Sequence, residues 1–320
     1  MQIGFVGLGN VGGKLAGSLL RNGASLIVSD LDAEKVSEFT ARGAGSSAVP
    51  ADMARQCGIV ITCLPNPQAS ASVVEGPDGL LKGFRRDAVW CEMSTTDERE
   101  VQRLGKAFSA IGAHAVDCPV SGGCHRAATG NISIFAGCDR PVFERILPLL
   151  TMMGRRILHT GRLGSASQLK VLTNYLATAN LVSVCEALTT ATKAGLDMKT
   201  TYEAIRISSG NSFVHETEGQ VILNGSRDIS FTMDLVVKDL SLFSELAERS
   251  GVNLDLAPML LEIFHDAEER YGSREWSPNV IRRLEDATGC RVSAPGFPAE
   301  IEDDEPEIPG YEVTMDHPRA

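Results

Sequence analysis

The tightest constraint on this chain lies in its first thirty residues. A short apolar run, Ile3 to Val6, leads directly into GLGNVG, Gly7 to Gly12, and then into a helical pattern. Gly7 permits a tight turn, Gly9 lets backbone approach a pyrophosphate, and Gly12 lets helix pack closely on strand. Leu8, Asn10 and Val11 complete the same phosphate-facing turn. A second strand, Ser25 to Ser29, ends at Asp30, eighteen residues after Gly12, where a carboxylate accepts hydrogen bonds from the adenosine ribose. Strand, glycines, helix, strand and acid fall in register for a dinucleotide site. Asp30 would also repel a 2′-phosphate, and no Arg or Lys follows until Lys35, so NAD is expected over NADP.

The first half of the chain keeps this rhythm. Apolar runs at Ile3–Val6, Ser25–Ser29, Ile59–Leu64, Ala88–Met93, His114–Val116 and Ile132–Ala136 alternate with helical stretches, the pattern of a parallel sheet covered on both faces. From Ser165 to Ala194 no proline or internal glycine interrupts small and apolar residues at helical spacing, which predicts one long, mostly buried helix. Further helices are predicted at Lys199–Ser208, Met233–Ser250, Pro258–Tyr271 and Pro278–Ala287, with no strand among them. The expected architecture is an α/β Rossmann dinucleotide-binding domain (1–163) followed by an all-α helical domain (164–289), with a tail at 290–320.

Composition narrows the function classes. With 43% hydrophobic residues in 320, the chain can bury a core in each domain, and no apolar run approaches the ~18 to 20 residues of a membrane span. A net charge of -11 leaves no basic stripe for nucleic acid or an anionic membrane surface, so the expected partner is small. Eight scattered cysteines show no C-x-x-C pair and no zinc spacing; with no secretory signal pattern after Met1, they read as buried free thiols of a cytoplasmic protein, and no metal is expected. Residues 291–320 carry eight acids against two arginines, a net of -6, together with Pro295, Pro298, Pro306, Pro309 and Pro318. Such a tail reads as a solvated end; the competing reading is an arm laid over a partner subunit through Phe297, Ile301, Ile308 and Tyr311.

Chemistry concentrates in two further segments. In DCPVSGG, Asp117 to Gly123, a hydroxyl and exposed backbone N–H groups can form a nest for a carboxylate at Ser121, Gly122 and Gly123. Lys170 and Asn174 lie one turn apart on the long apolar helix. Desolvation would bring such a lysine toward neutrality, suited to exchanging a proton with a substrate hydroxyl during hydride transfer, while Asn174 fixes the same oxygen. By position at the carboxyl ends of strands, Leu64 and Pro65 should touch the adenosine side of the cofactor and Thr95 the nicotinamide side.

With GFVGLGNVGG, EMSTT (92–96), DCPVSGGCHRAATG (117–130), GRLGSASQLKVLTN (161–174), SSGNSF (208–213) and KDL (238–240), the chain resembles the β-hydroxyacid dehydrogenases over residues 1 to 289. The resemblance implies that Ser121, Gly122 and Gly123 hold the substrate carboxylate, Lys170 is the acid/base and Asn174 orients the reacting groups. It also implies that Lys238 lies near cofactor and substrate, that Asp239 supports the site, and that the helical half makes a homodimer or homotetramer. Glu92 stands where the family usually has Asp, Cys118 replaces a usual alanine, and Cys124, His125, Arg126 and Phe231 near the pocket can change the substrate. The acidic tail lies outside the family pattern. Two rival readings are an imine reductase, disfavoured because Lys170 is present, and a non-catalytic dinucleotide-binding regulatory protein.

Overall fold

A computed structural model describes residues 2–314; Pro318 lies outside them. Among the described residues ten strands form one sheet: β1 (Gln2–Val6), β2 (Ser25–Ser29), β3 (Gly45–Ser46), β4 (Ile59–Thr62), β5 (Val89–Glu92), β6 (His114–Asp117), β7 (Val120–Ser121), β8 (Ser133–Gly137), β9 (Arg156–Gly161) and β10 (Tyr311–Glu312). Helices α1 (Asn10–Arg21), α2 (Ala33–Ala41), α3 (Pro50–Gln56), α4 (Pro67–Glu75), α5 (Glu98–Ala110), α6 (Gly123–Thr129) and α7 (Arg140–Leu150) connect them. The run β3-β2-β1-β4-β5-β6 is parallel throughout. Its central strands IVIT and VWCE are buried at every position, as strands covered on both faces must be. Strand order reverses between β1 and β4, and sheets of this kind bind ligands at the carboxyl ends beside that switch.

The far side of the sheet departs from the expected all-parallel arrangement. β8 pairs antiparallel with β6, and β9 and β10 run parallel to β8. β7, also antiparallel to β8, continues the direction of β6, and the chain reverses through α6 into β8, so it makes no long crossover of the sort a parallel neighbour requires.

The described residues divide into two compact units, 2–170 with 303–314, and 171–302. The division falls inside α8 (Ser165–Lys193), whose first turn is fastened to β6 of the first unit: Asp117 accepts hydrogen bonds from the Gly164 and Ser167 N–H groups, both 2.7 Å. The second unit contains the rest of α8 with α9 (Met198–Arg206), α10 (Phe213–Asn224), α11 (Met233–Arg249), α12 (Leu256–Tyr271) and α13 (Arg282–Thr288), around a core that includes Leu188, Leu240, Phe264 and Ile281. Helix α8 agrees with the expected Ser165–Ala194 to within a residue and is apolar enough by length and composition to cross a membrane, but it is not mostly buried, since Leu169, Leu172 and Leu176 on it are exposed. Its Leu181, Val184, Cys185 and Leu188 pack in the core of the second unit.

The expectation of a solvated tail is corrected for the described residues. Val292 and Ala294 hydrogen bond back to Glu285 and Leu223, and Phe297 packs edge-on against Tyr202 at 5.0 Å, all within the second unit. From Asp303 the segment lies on the first unit, and Tyr311–Glu312 adds a strand to β9, although no strand was expected beyond the sheet domain. Fixed cations explain the difference: Arg140 forms two hydrogen bonds to Glu312, and Arg21 two to Glu307. A dense run of acids stays solvated only where no such partners meet it.

Candidate active site

The first glycine turn is shaped by crowding on two sides and openness on the third. A Cβ on Gly7 would lie 2.3 Å from the Cys63 carbonyl oxygen, and one on Gly12 would lie 2.1 Å from that of Gly7, whereas one on Gly9 would meet nothing within 4 Å. Gly9 caps α1 without any side-chain hydrogen bond, so the helix presents its first N–H groups to the same open space. Asn10 is exposed, Val11 half-buried and Leu8 buried in the core beneath. These features fit a pyrophosphate. Asp30 accepts from the Leu8 N–H at 2.5 Å and from the Asp32 N–H at 2.9 Å, which fixes its carboxylate beside the turn. Lys35, the first base after it, is paired with Asp32 at 3.6 Å.

The loops after β4 and β5 are tied to each other. Ser94 Oγ accepts from the Leu64 N–H at 2.7 Å, while the buried Glu92 accepts from the Ser94 hydroxyl and, at 2.9 Å, from its N–H. Burial pushes the Glu92 carboxyl above its ordinary range. Pro65 is exposed and Thr95 half-buried beside these anchors. The Cys63 thiol in the same loop is pushed up to about 12 by burial, which leaves no thiolate there to act as a nucleophile.

Gly122 and Gly123 both have positive φ, 128° and 85°, a backbone conformation that favours glycine at the loop after Ser121. Two side chains border it. A Cβ on Gly122 would be 3.3 Å from Arg126 Cδ, and one on Gly123 would be 2.7 Å from the His125 ring. Burial, and then the charge of Arg126, hold the His125 imidazole below its ordinary 6.5, so it is mostly neutral at pH 7. Asp117, at the head of this motif, grips the start of the helix that carries Lys170, which is 8% exposed. Burial pushes the Asp117 carboxyl up against the two N–H bonds that favour its anion. Its bracing role was not read from the sequence, although its place at a strand end ahead of the glycines was the available signal.

In the second unit Asn174 donates from Nδ2 to Asp239 at 2.5 Å, and Lys238 pairs with the same carboxylate at 2.8 Å. Asp239 is 2% exposed, so its charge is balanced by these two partners from α8 and α11. Phe231 packs at the margin of the helical core, and its carbonyl accepts the Ser277 N–H at 2.8 Å. The structure thus joins Asn174, Lys238 and Asp239 in one cluster.

Residues 2–161 match the family model described as the NAD binding domain of 6-phosphogluconate dehydrogenase, and residues 164–284 the one described as the NAD-binding domain of NADP-dependent 3-hydroxyisobutyrate dehydrogenase. The chain is 34% identical over 294 residues to 2-(hydroxymethyl)glutarate dehydrogenase of Eubacterium barkeri, covering 92% of this chain and 98% of the relative. It is 32% identical to NAD-dependent L-serine dehydrogenase of Pseudomonas aeruginosa, covering 90% and 98%. Among solved structures, 3-hydroxyisobutyrate dehydrogenase from Salmonella typhimurium superposes with a TM-score of 0.81 at 27% identity, covering 88% of this chain and 99% of that one.

Proposed function

The chain belongs to the β-hydroxyacid dehydrogenase family and is an oxidoreductase of 3-hydroxy acids, and from that premise we propose that it interconverts a small 3-hydroxy acid and its semialdehyde by NAD-dependent hydride transfer with Lys170 as acid/base. The nicotinamide, when bound, supplies the hydride acceptor. Gly7 to Gly12 would hold the pyrophosphate, Asp30 the ribose hydroxyls, and Leu64, Pro65 and Thr95 the flanks of the cofactor. Two acids, Asp30 and Asp32, stand at the end of β2, and Lys35 is already paired with one of them, which supports NAD over NADP.

The substrate carboxylate is assigned to Ser121, Gly122 and Gly123. Lys170 takes the proton of the 3-hydroxyl as hydride leaves its carbon, and returns it in the reverse direction. Asn174 donates to the same oxygen, its amide oriented by Asp239. One observation carries the reading: a buried lysine stands one turn from an asparagine that a buried carboxylate fixes, on a helix whose start Asp117 locks. We further take the protein to act in the cytoplasm as a homodimer or homotetramer on a small carboxylate, with neither nucleic acid nor membrane as partner. Exposed Leu169, Leu172 and Leu176, at helical spacing on α8, support the oligomer.

The test is a panel of 3-hydroxyisobutyrate, 3-hydroxypropionate, glycerate, serine, threonate and sulfolactate with NAD and NADP. Lys170→Ala should cut turnover of the best substrate by roughly 10² to 10⁴ and leave NAD affinity within a few fold. Near-wild-type turnover in that variant sinks the acid/base assignment; NAD binding without turnover of any acid points to a regulatory binder.

A further inference from the structure

Helix α6 is only seven residues long, and its first residue closes the Ser121-Gly122-Gly123 loop. A helix this short has little stability of its own, so its position must come from what surrounds it. At its end, Asp303 accepts from the Thr129 hydroxyl and, at 2.7 Å, from Asn131 Nδ2. Asn131 also donates to the Glu305 carbonyl at 2.8 Å, and the Glu305 carboxylate lies 3.6 Å from Arg126. Glu307 completes the grip by holding Arg21, which donates to the Ala128 carbonyl at 2.6 Å. Arg126 links the two ends of the assembly, because its side-chain stem lies against Gly122 while its head faces Glu305. The acidic C-terminal segment, which lies beyond the motifs of the family, therefore contacts the carboxyl-terminal half of the helix that the carboxylate loop leads into.

From these contacts we infer that Asp303 is a positioning residue for the substrate: through Thr129 and Asn131 it fixes α6 and thereby the loop that takes the substrate carboxylate, an inference that rests on the dehydrogenase reading above. Asp303 touches no reacting group. Its effect passes through backbone placement, to which anion recognition by paired N–H groups is sensitive at the scale of an ångström. Loss of Asp303 should loosen the loop without disturbing the first glycine turn, where the cofactor binds.

The test uses the full-length protein and the best substrate of the panel. Asp303→Ala should raise KM for the acid about tenfold, with kcat and NAD Kd within about threefold of wild type, and should speed amide exchange across residues 123–131. Asp303→Asn retains an acceptor for Thr129 and Asn131, and should restore KM to within about threefold. Glu312→Gln weakens the anchor on Arg140 at the other end of the segment and should leave KM unchanged. Unchanged KM in Asp303→Ala overturns the inference, even with faster exchange, since the segment would then be structural only. Equal losses in KM, kcat and NAD affinity also overturn it, as general destabilisation. Wild-type protein that turns over no acid sinks the dehydrogenase reading, and the inference falls with it.

Discussion

Two glycine-built turns in this molecule are assigned to anions, and they are held in shape by different means. At Gly7 and Gly12 the neighbours that exclude a side chain are backbone atoms, the carbonyls of Cys63 and of Gly7 itself, and the turn opens onto a twelve-residue helix packed in the core of the sheet. At Gly122 and Gly123 the nearest neighbours are the side chains of Arg126 and His125, and the following helix has seven residues. The first turn is enforced by the sheet from within. The second is bordered by the side chains that follow it, with Asp303 and Glu305 from the far end of the chain meeting Thr129 and Arg126 of α6, so one turn is closed by backbone and the other by side chains.

The contrast breaks first at Gly12. Alanine there would place Cβ 2.1 Å from a carbonyl oxygen that no rotamer can move, so strand and helix must separate. Gly12→Ala is expected to weaken NAD by about 100-fold, close to 3 kcal/mol at 1.4 kcal/mol per decade, and to lower the melting temperature. Isothermal titration with NAD checks this, and an affinity within threefold of wild type would show that the turn is not rigid.

At Gly122 the expected loss is smaller and lies elsewhere. Alanine at φ 128° carries strain of about 1–3 kcal/mol, but the atom it meets, Arg126 Cδ at 3.3 Å, belongs to a flexible side chain that can give way. Gly122→Ala should raise KM for the acid roughly tenfold and leave NAD Kd within about twofold. An equal loss of NAD affinity, measured by the same titration, would mean that the two turns are one mechanical unit and would erase the distinction.

The two turns also differ in how much of each could be read from sequence. Everything that holds the first turn lies within β1, α1, β2 and the loop after β4, and the strands named from apolar runs agree with β1 and β2 to within a residue. The second turn depends on partners far along the chain. Asp117 meets Gly164 and Ser167 across 47 and 50 residues, and Thr129 meets Asp303 across 174. No local periodicity encodes such contacts, and acidic, proline-containing composition pointed away from them. β9 was missed because RILHTG has few apolar residues and its neighbour β10 comes from the far end of the chain. Helix α10 was missed despite a Ser212 cap and a left-handed Gly225, because apolar residues in FVHETEGQVILN do not keep to one face.

The smallest effect tests whether the first turn also discriminates by charge. Asp30 is fixed by the N–H groups of Leu8 and Asp32, so its carboxylate cannot swing away from an incoming 2′-phosphate, and Asp32 stands two residues on. Asp30→Asn keeps size and one acceptor oxygen while removing the charge. Ribose recognition should survive with a few-fold loss, whereas the repulsion against NADP should fall, so the ratio of kcat/KM for NAD over NADP should drop by about tenfold, or 1.4 kcal/mol. If shape alone sets the preference, the ratio in Asp30→Asn will equal that of wild type. A wild-type enzyme that already prefers NADP would remove the premise, because a fixed anion beside the ribose would then be tolerated by a second one.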